Sequence, residues 1–272
     1  MKSFFLTDTG RVRDHNEDSV TILKNANNEY LLAVADGMGG HKAGEVASSM
    51  AINHITSKFN SLESLGSKEK AINWIREEVA EINNSIFSYT ALHEESKGMG
   101  TTFVIALYTK DYLLFGNVGD SSGFVIKNSK LYKVTKDHTL VNLLVASGEL
   151  TEEEAQNHPK KNILMRALGA NNPAEVDIFD VVDEEIEGVF LCSDGLTSML
   201  NQTQIEKVLA GPGSLEERVT RLIRKSNVRG GTDNISIALR NALHFWRTKE
   251  YVPLAISLLP ILFAFKHPCA RK

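Results

Sequence analysis

The sequence has little cysteine: Cys192 and Cys269 are the only two among 272 residues. Two cysteines so far apart provide neither a disulfide framework nor a thiolate zinc site, and they suit a reducing compartment. Cys192 ends an apolar run, so we expect a small buried core residue and not a nucleophile. Long basic runs are also absent, and the formal net charge is −4. We therefore expect a cytoplasmic protein that binds no nucleic acid.

A secretory leader, internal repeats and low-complexity segments are missing as well. The N-terminal MKSFFLTDTGRVRDHNED becomes charged within a few residues, which is not typical of a signal peptide. A hydrophobic content of 42% and a charged content of 24% are ordinary for a soluble globular chain. Since no linker is evident before residue 241, we expect one domain over residues 1–241 and an apolar tail over residues 242–272.

The spacing of apolar residues predicts blocks of strands and blocks of helices. Residues 43–59 and 71–87 have helical spacing, and Ser67 is placed to cap the second helix. Strands are predicted at 3–7, 19–25, from 30 onward, 101–108, 112–118, 123–126, 131–134, 175–182 and 188–192, and over the last DNISIAL segment. Because strands and helices do not alternate singly, the pattern favours antiparallel sheets with helices packed outside, an α+β or layered fold.

Several acidic residues stand beside glycine at the ends of predicted strands. The apolar residues 31–35 lead directly into Asp36 and Gly37, and similar acids follow elsewhere: Asp120 in NVGDS, Asp194 in LCSDG, Asp233 in GGTDN, and Glu17 with Asp18 in RDHNED. One Asp-Gly after a strand is usually a turn. So many of them would repel one another on a shared rim unless divalent cations lay among them. Mg²⁺ and Mn²⁺ take such all-oxygen shells, and two ions can activate a water for attack on phosphorus.

The order of motifs adds a family resemblance. The segments RVRDHNED, VADGMGGHKAGE, KGMGTT, NVGDS, KDHTLVN, HPKKNILMRALG, LCSDGLT and GGTDNISIAL resemble those of bacterial metal-dependent protein serine/threonine phosphatases of the PP2C (PPM) family. The resemblance covers roughly residues 1–240. It implies a layered α-β-β-α sandwich, with a central antiparallel β-sandwich flanked by helices. It also implies a monomer that hydrolyses phosphoserine and phosphothreonine at a binuclear Mn²⁺ or Mg²⁺ site and opposes a bacterial serine/threonine kinase.

The same resemblance assigns metal ligands by position. Asp36 is implied to bridge two ions, and the Gly37 carbonyl is implied to contribute to one of them. Asp194 and Asp233 are implied to hold the other ion, while Asp18 supports the site directly or through water. In bacterial members Asp120 and Asp194 correspond to residues that often hold a weaker third ion.

Two further residues correspond to the family's chemistry at the phosphate. Arg13 matches an arginine that binds the substrate phosphate, a role suited to its planar set of donors. His41 matches a histidine proposed to give a proton to the leaving group. Residues 139–168 resemble a flap near the active site that affects substrate choice. His138, at the start of that region, is expected to have a local structural role.

The chain departs from the family at residue 122. The family usually has arginine after Gly-Asp-Ser, and this sequence has Ser122 there. Serine carries no charge, so an ion pair beside the third-ion region is expected to be missing. We therefore expect a lower affinity for the third ion, with Asp120 a doubtful ligand.

The second departure is the tail. The apolar residues 252–265 would span about 21 Å as a helix, short of a hydrocarbon core of about 30 Å. Pro253 and Pro260 also interrupt a regular helix. Aromatic and basic residues around this run are compatible with peripheral membrane contact through residues 245–272. The other interpretations are a segment packed against the domain or against a second copy, or an atypical terminus produced by a change of reading frame, and the sequence does not separate them.

Two alternatives to an active cytosolic enzyme stay open. One is a catalytically weakened module of the same fold that binds phosphoproteins, although such a module is expected to lose a core acid and none is lost here. The other is a phosphatase domain tethered to a membrane by its tail. In each case the expected partners are phosphorylated proteins, including a cognate kinase.

Overall fold

The computed structural model describes residues 3–40, 43–170, 172–182 and 185–241. Eleven strands lie in these ranges: β1 (Ser3–Asp8), β2 (Asp18–Lys24), β3 (Tyr30–Met38), β4 (Gly100–Thr101), β5 (Phe103–Tyr108), β6 (Leu113–Val118), β7 (Ser122–Lys127), β8 (Lys130–Lys133), β9 (Asp177–Val181), β10 (Gly188–Cys192) and β11 (Ile235–Asn241). Both the tail prediction for residues 242–272 and the His41 assignment fall outside the described residues.

Seven α-helices accompany the strands in the described part of the chain: α1 (Ala43–Ser61), α2 (Lys68–Leu92), α3 (Leu140–Ala146), α4 (Glu152–Gln156), α5 (Asp194–Thr197), α6 (Gln202–Leu209) and α7 (Leu215–Val228). Ser67 caps α2 by accepting a hydrogen bond from the Lys70 amide, as its position predicted. Thr151 and Ser214 form capping boxes at the starts of α4 and α7. Local polar residues therefore define where these helices begin.

The strands form two antiparallel sheets. One has the order β1-β11-β10-β7-β8, and the other has the order β2-β3-β5-β6-β9 with the short β4 paired to the end of β3. Alternate residues of β3 belong to different cores, because successive side chains of a strand point to opposite faces. Leu31 and Ala33 pack under α1 and α2, whereas Leu32 and Val34 pack between the two sheets.

A third core completes the layers on the other side of the sandwich. Phe190 and Ile237 from the β1-containing sheet pack against Leu222 of α7 and Ile205 of α6. The architecture is therefore helix, sheet, sheet, helix, and the predicted α+β sandwich is confirmed. Cys192 is fully buried in this third core, as its place at the end of an apolar strand predicted.

A few element boundaries differ from those predicted. The strand expected over residues 101–108 is divided at Thr102, because its hydroxyl accepts from the Asp36 amide and its own amide donates to the Asp36 carbonyl. The strand expected over residues 175–182 is shorter and spans Asp177–Val181. The second long helix reaches Lys68–Leu92, several residues beyond its apolar stripe at each end. Contacts with Asp36 in the neighbouring strand divide the first of these elements, whereas the local Ser67 cap sets the start of the long helix.

Candidate functional site

The strand-end acids meet at one end of the sandwich. Asp18 begins β2 and lies directly opposite Asp36, near the end of β3. From the other sheet, Asp194 follows β10 and Asp233 precedes β11, which is paired with β10. Asp120 follows β6 at the same rim and acts electrostatically on Asp36. We refer to these five residues as the rim carboxylates; the structure brings together every aspartate predicted to bind metal.

Three hydrogen bonds to the backbone fix the end of β3 that carries Asp36. The Asp36 carbonyl accepts hydrogen bonds from the Thr102 amide at 2.8 Å and from the Thr101 hydroxyl at 3.0 Å. The amide of Gly37 donates to the Glu17 carbonyl at 3.0 Å. A Cβ on Gly37 would lie 2.1 Å from the Gly44 carbonyl oxygen. Glycine is therefore required at residue 37, because α1 begins against the backbone of β3.

Asp18 is held from the opposite sheet. The Ser193 hydroxyl donates to Asp18 Oδ2 at 2.7 Å and accepts from the Ser236 amide at 2.9 Å. The other oxygen, Asp18 Oδ1, is buried and has no hydrogen-bond partner. A buried carboxylate oxygen without a donor is costly in protein alone, and a cation nearby would offset that cost. Glu17 Oε1, on the neighbouring residue, is also buried without a partner.

The rim carboxylates perturb one another. Burial is the main cause that raises the pKa of Asp18 to about 7; hydrogen bonds from Ser193 and Ser236 oppose the shift, and the charges of Asp194 and Asp233 add to it. The pKa of Asp36 is raised well above its ordinary value by burial, then by the charges of Asp18 and other rim acids. Like charges this close cannot all ionise cheaply without a counter-charge.

Asp120 and Asp194 also have raised pKa values. Burial, followed by the charges of Asp194 and Asp137, raises the pKa of Asp120 to about 7. Burial and the charge of Asp233 raise the pKa of Asp194, although a hydrogen bond from the Asp36 carboxyl group opposes the shift. Hard divalent ions take oxygen ligands of this kind. The donor chemistry and the partnerless oxygens of the rim therefore fit Mg²⁺ or Mn²⁺.

Arg13 forms an ion pair with the rim carboxylate Asp233. Its Nη2 lies 2.9 Å from Asp233 Oδ2, and half of its side chain is exposed. Burial alone would lower the pKa of Arg13, but the charge of Asp233 and its hydrogen bond raise it, with further contributions from Glu17 and Asp36. An exposed guanidinium beside the rim leaves donors free for an incoming anion.

Asn234 holds the loop that carries Arg13, a role that the sequence analysis missed. Its side-chain oxygen accepts from the Glu17 amide at 2.8 Å. Its side-chain nitrogen donates to the carbonyls of Thr9 and His15, both at 2.9 Å. Asn234 directly follows Asp233 in the DNISIAL motif, and this position beside a predicted ligand was the sequence signal that could have identified its role. Similarly, Ser193 precedes Asp194 in the LCSDG motif but holds Asp18.

The turn that contains Asp120 is supported by His138. The Gly119 amide donates to His138 Nδ1 at 3.1 Å, and His138 Nε2 lies 3.2 Å from an oxygen of Asp177. His138 thus has the local structural contacts expected of it. Ser122 begins β7 opposite Cys192 and is only 2% exposed. It places no charge beside Asp120, as expected from the sequence.

A cleft of about 940 Å³ runs from Asp120 and Asp194 to the short helices α3 and α4. These helices belong to residues 139–168, which the resemblance identified as a flap. Lys133 lines the cleft with its Nζ 2.7 Å from Asp137 Oδ2. The flap segment therefore borders the rim on the side of Asp120, where a substrate chain has room to lie.

A second group of potential metal ligands lies between α1 and α2. His54 Nε2 is 2.6 Å from Glu78 Oε2 and 3.7 Å from Glu81 Oε2. Lys58 Nζ is 2.6 Å from Glu81 Oε2, so its ammonium group stands where a metal ion would bind. We interpret this group as an ion-pair network joining two helices, in which the buried Glu78 has its counter-charge.

Within the part of the chain that the structure describes, no helix combines the length and apolar character needed to cross a membrane.

Comparisons with known proteins agree with the geometry. Residues 10–243 match the family described as protein phosphatase 2C. Serine/threonine phosphatase stp of Listeria welshimeri is 43% identical over 239 residues, which cover 88% of this chain and 95% of that protein. Protein phosphatase PhpP of Streptococcus pneumoniae is 34% identical over 242 residues, covering 88% and 96%. The crystal structure of serine/threonine phosphatase Stp1 from Staphylococcus aureus has a TM-score of 0.83 at 36% identity, covering 89% and 95%.

Proposed function

The chain belongs to the protein phosphatase 2C family and is a phosphoprotein phosphatase, and we propose that it hydrolyses phosphoserine and phosphothreonine at the rim that carries Asp36. The observation that carries this proposal is the meeting of the rim carboxylates beside Arg13. The rim is acidic and has one exposed arginine beside it. It can therefore bind an anionic substrate only when cations balance the charge of the carboxylates. The proposed enzyme is therefore metal-dependent.

The rim carboxylates would hold two divalent ions, Mn²⁺ or Mg²⁺. Asp36, the Gly37 carbonyl, Asp194 and Asp233 would supply the oxygen ligands that hold these ions. Asp18 supports this arrangement, and its partnerless oxygen fits that role. Asp120 and Asp194 would hold a weaker third ion. When bound, these ions supply the positive charge that activates a water and stabilises the phosphoryl group.

The remaining chemistry is assigned to side chains at the edge of the rim. Arg13 would bind two oxygens of the substrate phosphate through its guanidinium, which matches phosphate geometry. On substrate binding, its contact with Asp233 would be shared with the phosphate. His41 is proposed to donate a proton to the leaving serine or threonine oxygen. Asn234 positions both Arg13 and Glu17 by tying their loop to β11.

The biological setting is proposed from the relatives. Phosphorylated proteins are the proposed partners, and a cognate serine/threonine kinase is the proposed opponent. We propose that residues 1–241 form one monomeric catalytic domain that acts in the cytoplasm. Residues 245–272 are proposed to make peripheral contact with a membrane, which fractionation of chains with and without residues 242–272 tests.

The proposed function is tested by phosphopeptide hydrolysis with the purified full chain. Mn²⁺ is titrated from zero after treatment with a chelator, and phosphate release from a phosphothreonine peptide is measured. We expect turnover only with the metal and none from Asp36→Ala. Asp111→Ala is the matched control, because Asp111 is an exposed aspartate in a loop away from the rim.

The two outcomes separate the proposed enzyme from the binding module. Metal-dependent turnover that is retained in Asp111→Ala and lost in Asp36→Ala supports the proposal. A folded protein that hydrolyses nothing at any Mn²⁺ concentration contradicts it. In that case, binding of the intact phosphopeptide identifies the catalytically weakened module.

A further inference from the structure

A groove of about 440 Å³ lies between α7 and the segment that joins α5 to α6. Four of its lining residues are cationic: Arg221, Arg224, Lys225 and Arg229. They recur at helical spacing along α7 and its C-terminal cap, so they share one face of that helix. None of the groove's lining residues is acidic. The whole chain has a net charge of −4, which makes this concentration of positive charge local.

The cations of the groove are not neutralised by carboxylates. Both Nη atoms of Arg221 donate to the Pro212 carbonyl at 3.3 Å. Arg229 donates to the Met199 carbonyl at 3.1 Å and to the Gln204 side-chain oxygen. Arg224 and Lys225 are exposed. Among the described residues, no carboxylate lies within ion-pair distance of these four groups.

The groove also has an apolar side. Leu200 lines it, and Val228 is 73% exposed beside the cations. The exposed side chain of Val228 offers an apolar surface that a bound peptide would cover, while the neighbouring guanidinium groups remain available for anions.

The groove is connected to the candidate active site by short segments. Arg229 precedes Asp233 by four residues, so their Cα atoms lie within about 14 Å of each other. The opposite wall begins at Leu200, which closely follows the helix that starts with Asp194. From Arg229 back to Arg221 the helix continues for about 12 Å. A peptide held at the rim can therefore reach the groove.

We infer that this groove binds acidic side chains of the phosphoprotein substrate, at positions about four to eight residues from the phosphorylated residue. The inference rests on the proposed function and names the class of substrate that the site favours. Charge complementarity identifies the occupant: four unneutralised cations fit glutamate, aspartate or a second phosphorylated residue. The extended reach of about 3.3 Å per residue sets the distance from the phosphate.

The experiment compares phosphothreonine peptides hydrolysed by the full chain with Mn²⁺. One peptide has glutamates about four to eight positions before the phosphothreonine, another has them after it, and matched peptides have glutamines instead. Binding of the glutamate peptides is measured separately by fluorescence anisotropy. Hydrolysis of p-nitrophenyl phosphate, which is too small to reach the groove, reports whether the active site works.

We expect kcat/KM for one glutamate peptide to exceed that of its glutamine match by about tenfold. In the double variant Arg224→Glu/Lys225→Glu this ratio should fall to about one. The matched control is Lys70→Glu/Arg76→Glu, which reverses two exposed charges on α2 in the opposite helical layer. The control should keep the wild-type ratio.

Three results would overturn the inference. One is equal kcat/KM for glutamate and glutamine peptides in the wild type, and another is a preference that survives in the groove variant. The third is binding to phosphatidylglycerol vesicles that is lost in the variant, without any peptide preference, which would assign the groove to a membrane. If the folded wild type hydrolyses neither p-nitrophenyl phosphate nor any phosphothreonine peptide, the proposed function fails, and anisotropy still decides what the groove binds.

Discussion

Asp18 and Asp36 are direct partners across the antiparallel pair β2–β3, so two carboxylates from adjacent strands face the same rim. Ser193 donates to one oxygen of Asp18 and leaves the other oxygen buried without a partner. This arrangement is unfavourable for the protein alone and favourable once a divalent cation is present. Without metal, the rim carboxylates therefore reduce the stability of the folded protein, and the same carboxylates form the metal-binding site.

The stability of the metal-free protein should fall as pH rises. Unfolded aspartate releases its proton near pH 4, whereas the folded protein holds the pKa of Asp18 and of Asp120 at about 7. Between these values the folded state keeps protons that the unfolded chain has lost. The free energy of unfolding therefore decreases by a few kcal/mol from about pH 4 to about pH 7.

Urea unfolding with a chelator at about pH 5 and about pH 7 measures this decrease. Adding Mn²⁺ at the higher pH should restore stability, because the ion binds only the folded state. Asp18→Asn is the comparison, since it removes one of the titrating groups. A wild-type decrease no larger than that of Asp18→Asn would contradict the prediction.

Gly37→Ala should damage the site far more than Gly40→Ala. An added Cβ at Gly37 would lie 2.1 Å from the Gly44 carbonyl oxygen and 2.6 Å from that of Glu17, both backbone atoms. At Gly40 an added Cβ meets nothing within 4 Å. Thermal and urea unfolding should show a loss of about 3 kcal/mol or more for Gly37→Ala and less than about 0.5 kcal/mol for Gly40→Ala. Equal losses in the two variants would refute this account of the motif.

Arg13→Ala should weaken substrate binding at the active site. A guanidinium hydrogen-bonded to a charged phosphate contributes about 1.5–3 kcal/mol, so kcat/KM for a phosphopeptide should fall by about ten- to a hundredfold. Arg11→Ala is the matched control, because Arg11 is exposed on the same loop and makes its contact with Gly231 through the backbone. Steady-state kinetics measure kcat/KM for both variants. A similar loss of kcat/KM in Arg11→Ala would contradict a specific role of Arg13 in phosphate binding.

Ser122→Arg should lower the Mn²⁺ concentration that gives half-maximal turnover. Ser122 begins β7, close to Asp120, and provides no charge there. A guanidinium at this position would pair with the acids of the third-ion region and order them. Ser122→Met, which adds length without charge, is the control, and circular dichroism checks that both variants fold. An unchanged Mn²⁺ dependence in Ser122→Arg would sink the hypothesis of weakened third-ion binding.

Much of this protein was predictable from local sequence. The apolar run that ends in Asp36 and Gly37 indicated a buried strand with a functional end, and the strand at residues 188–192 was predicted with the bounds observed for β10. Ser67 capped its helix as predicted. These features depend on neighbouring residues, whose spacing and chemistry the sequence displays directly.

The contacts that hold the site together were not predictable in this way. Ser193 supports Asp18 across 175 positions of sequence, and Asn234 reaches Glu17 across 217. Such pairs meet only because two sheets stack with the ends of β2, β3, β10 and β11 at one rim. The same packing sets Gly37 against Gly44 and places Arg221, Arg224, Lys225 and Arg229 in a groove whose lining has no acidic residue within the described part of the chain.

The sequence alone thus determined which residues bear the chemistry and which strands end in them, because side-chain type and apolar periodicity are local properties. Tertiary structure alone decided which carboxylates face one another, which oxygen is left without a donor and where positive charge collects. Those properties depend on distances between segments far apart in the chain, and burial and electrostatic interaction follow distance in space.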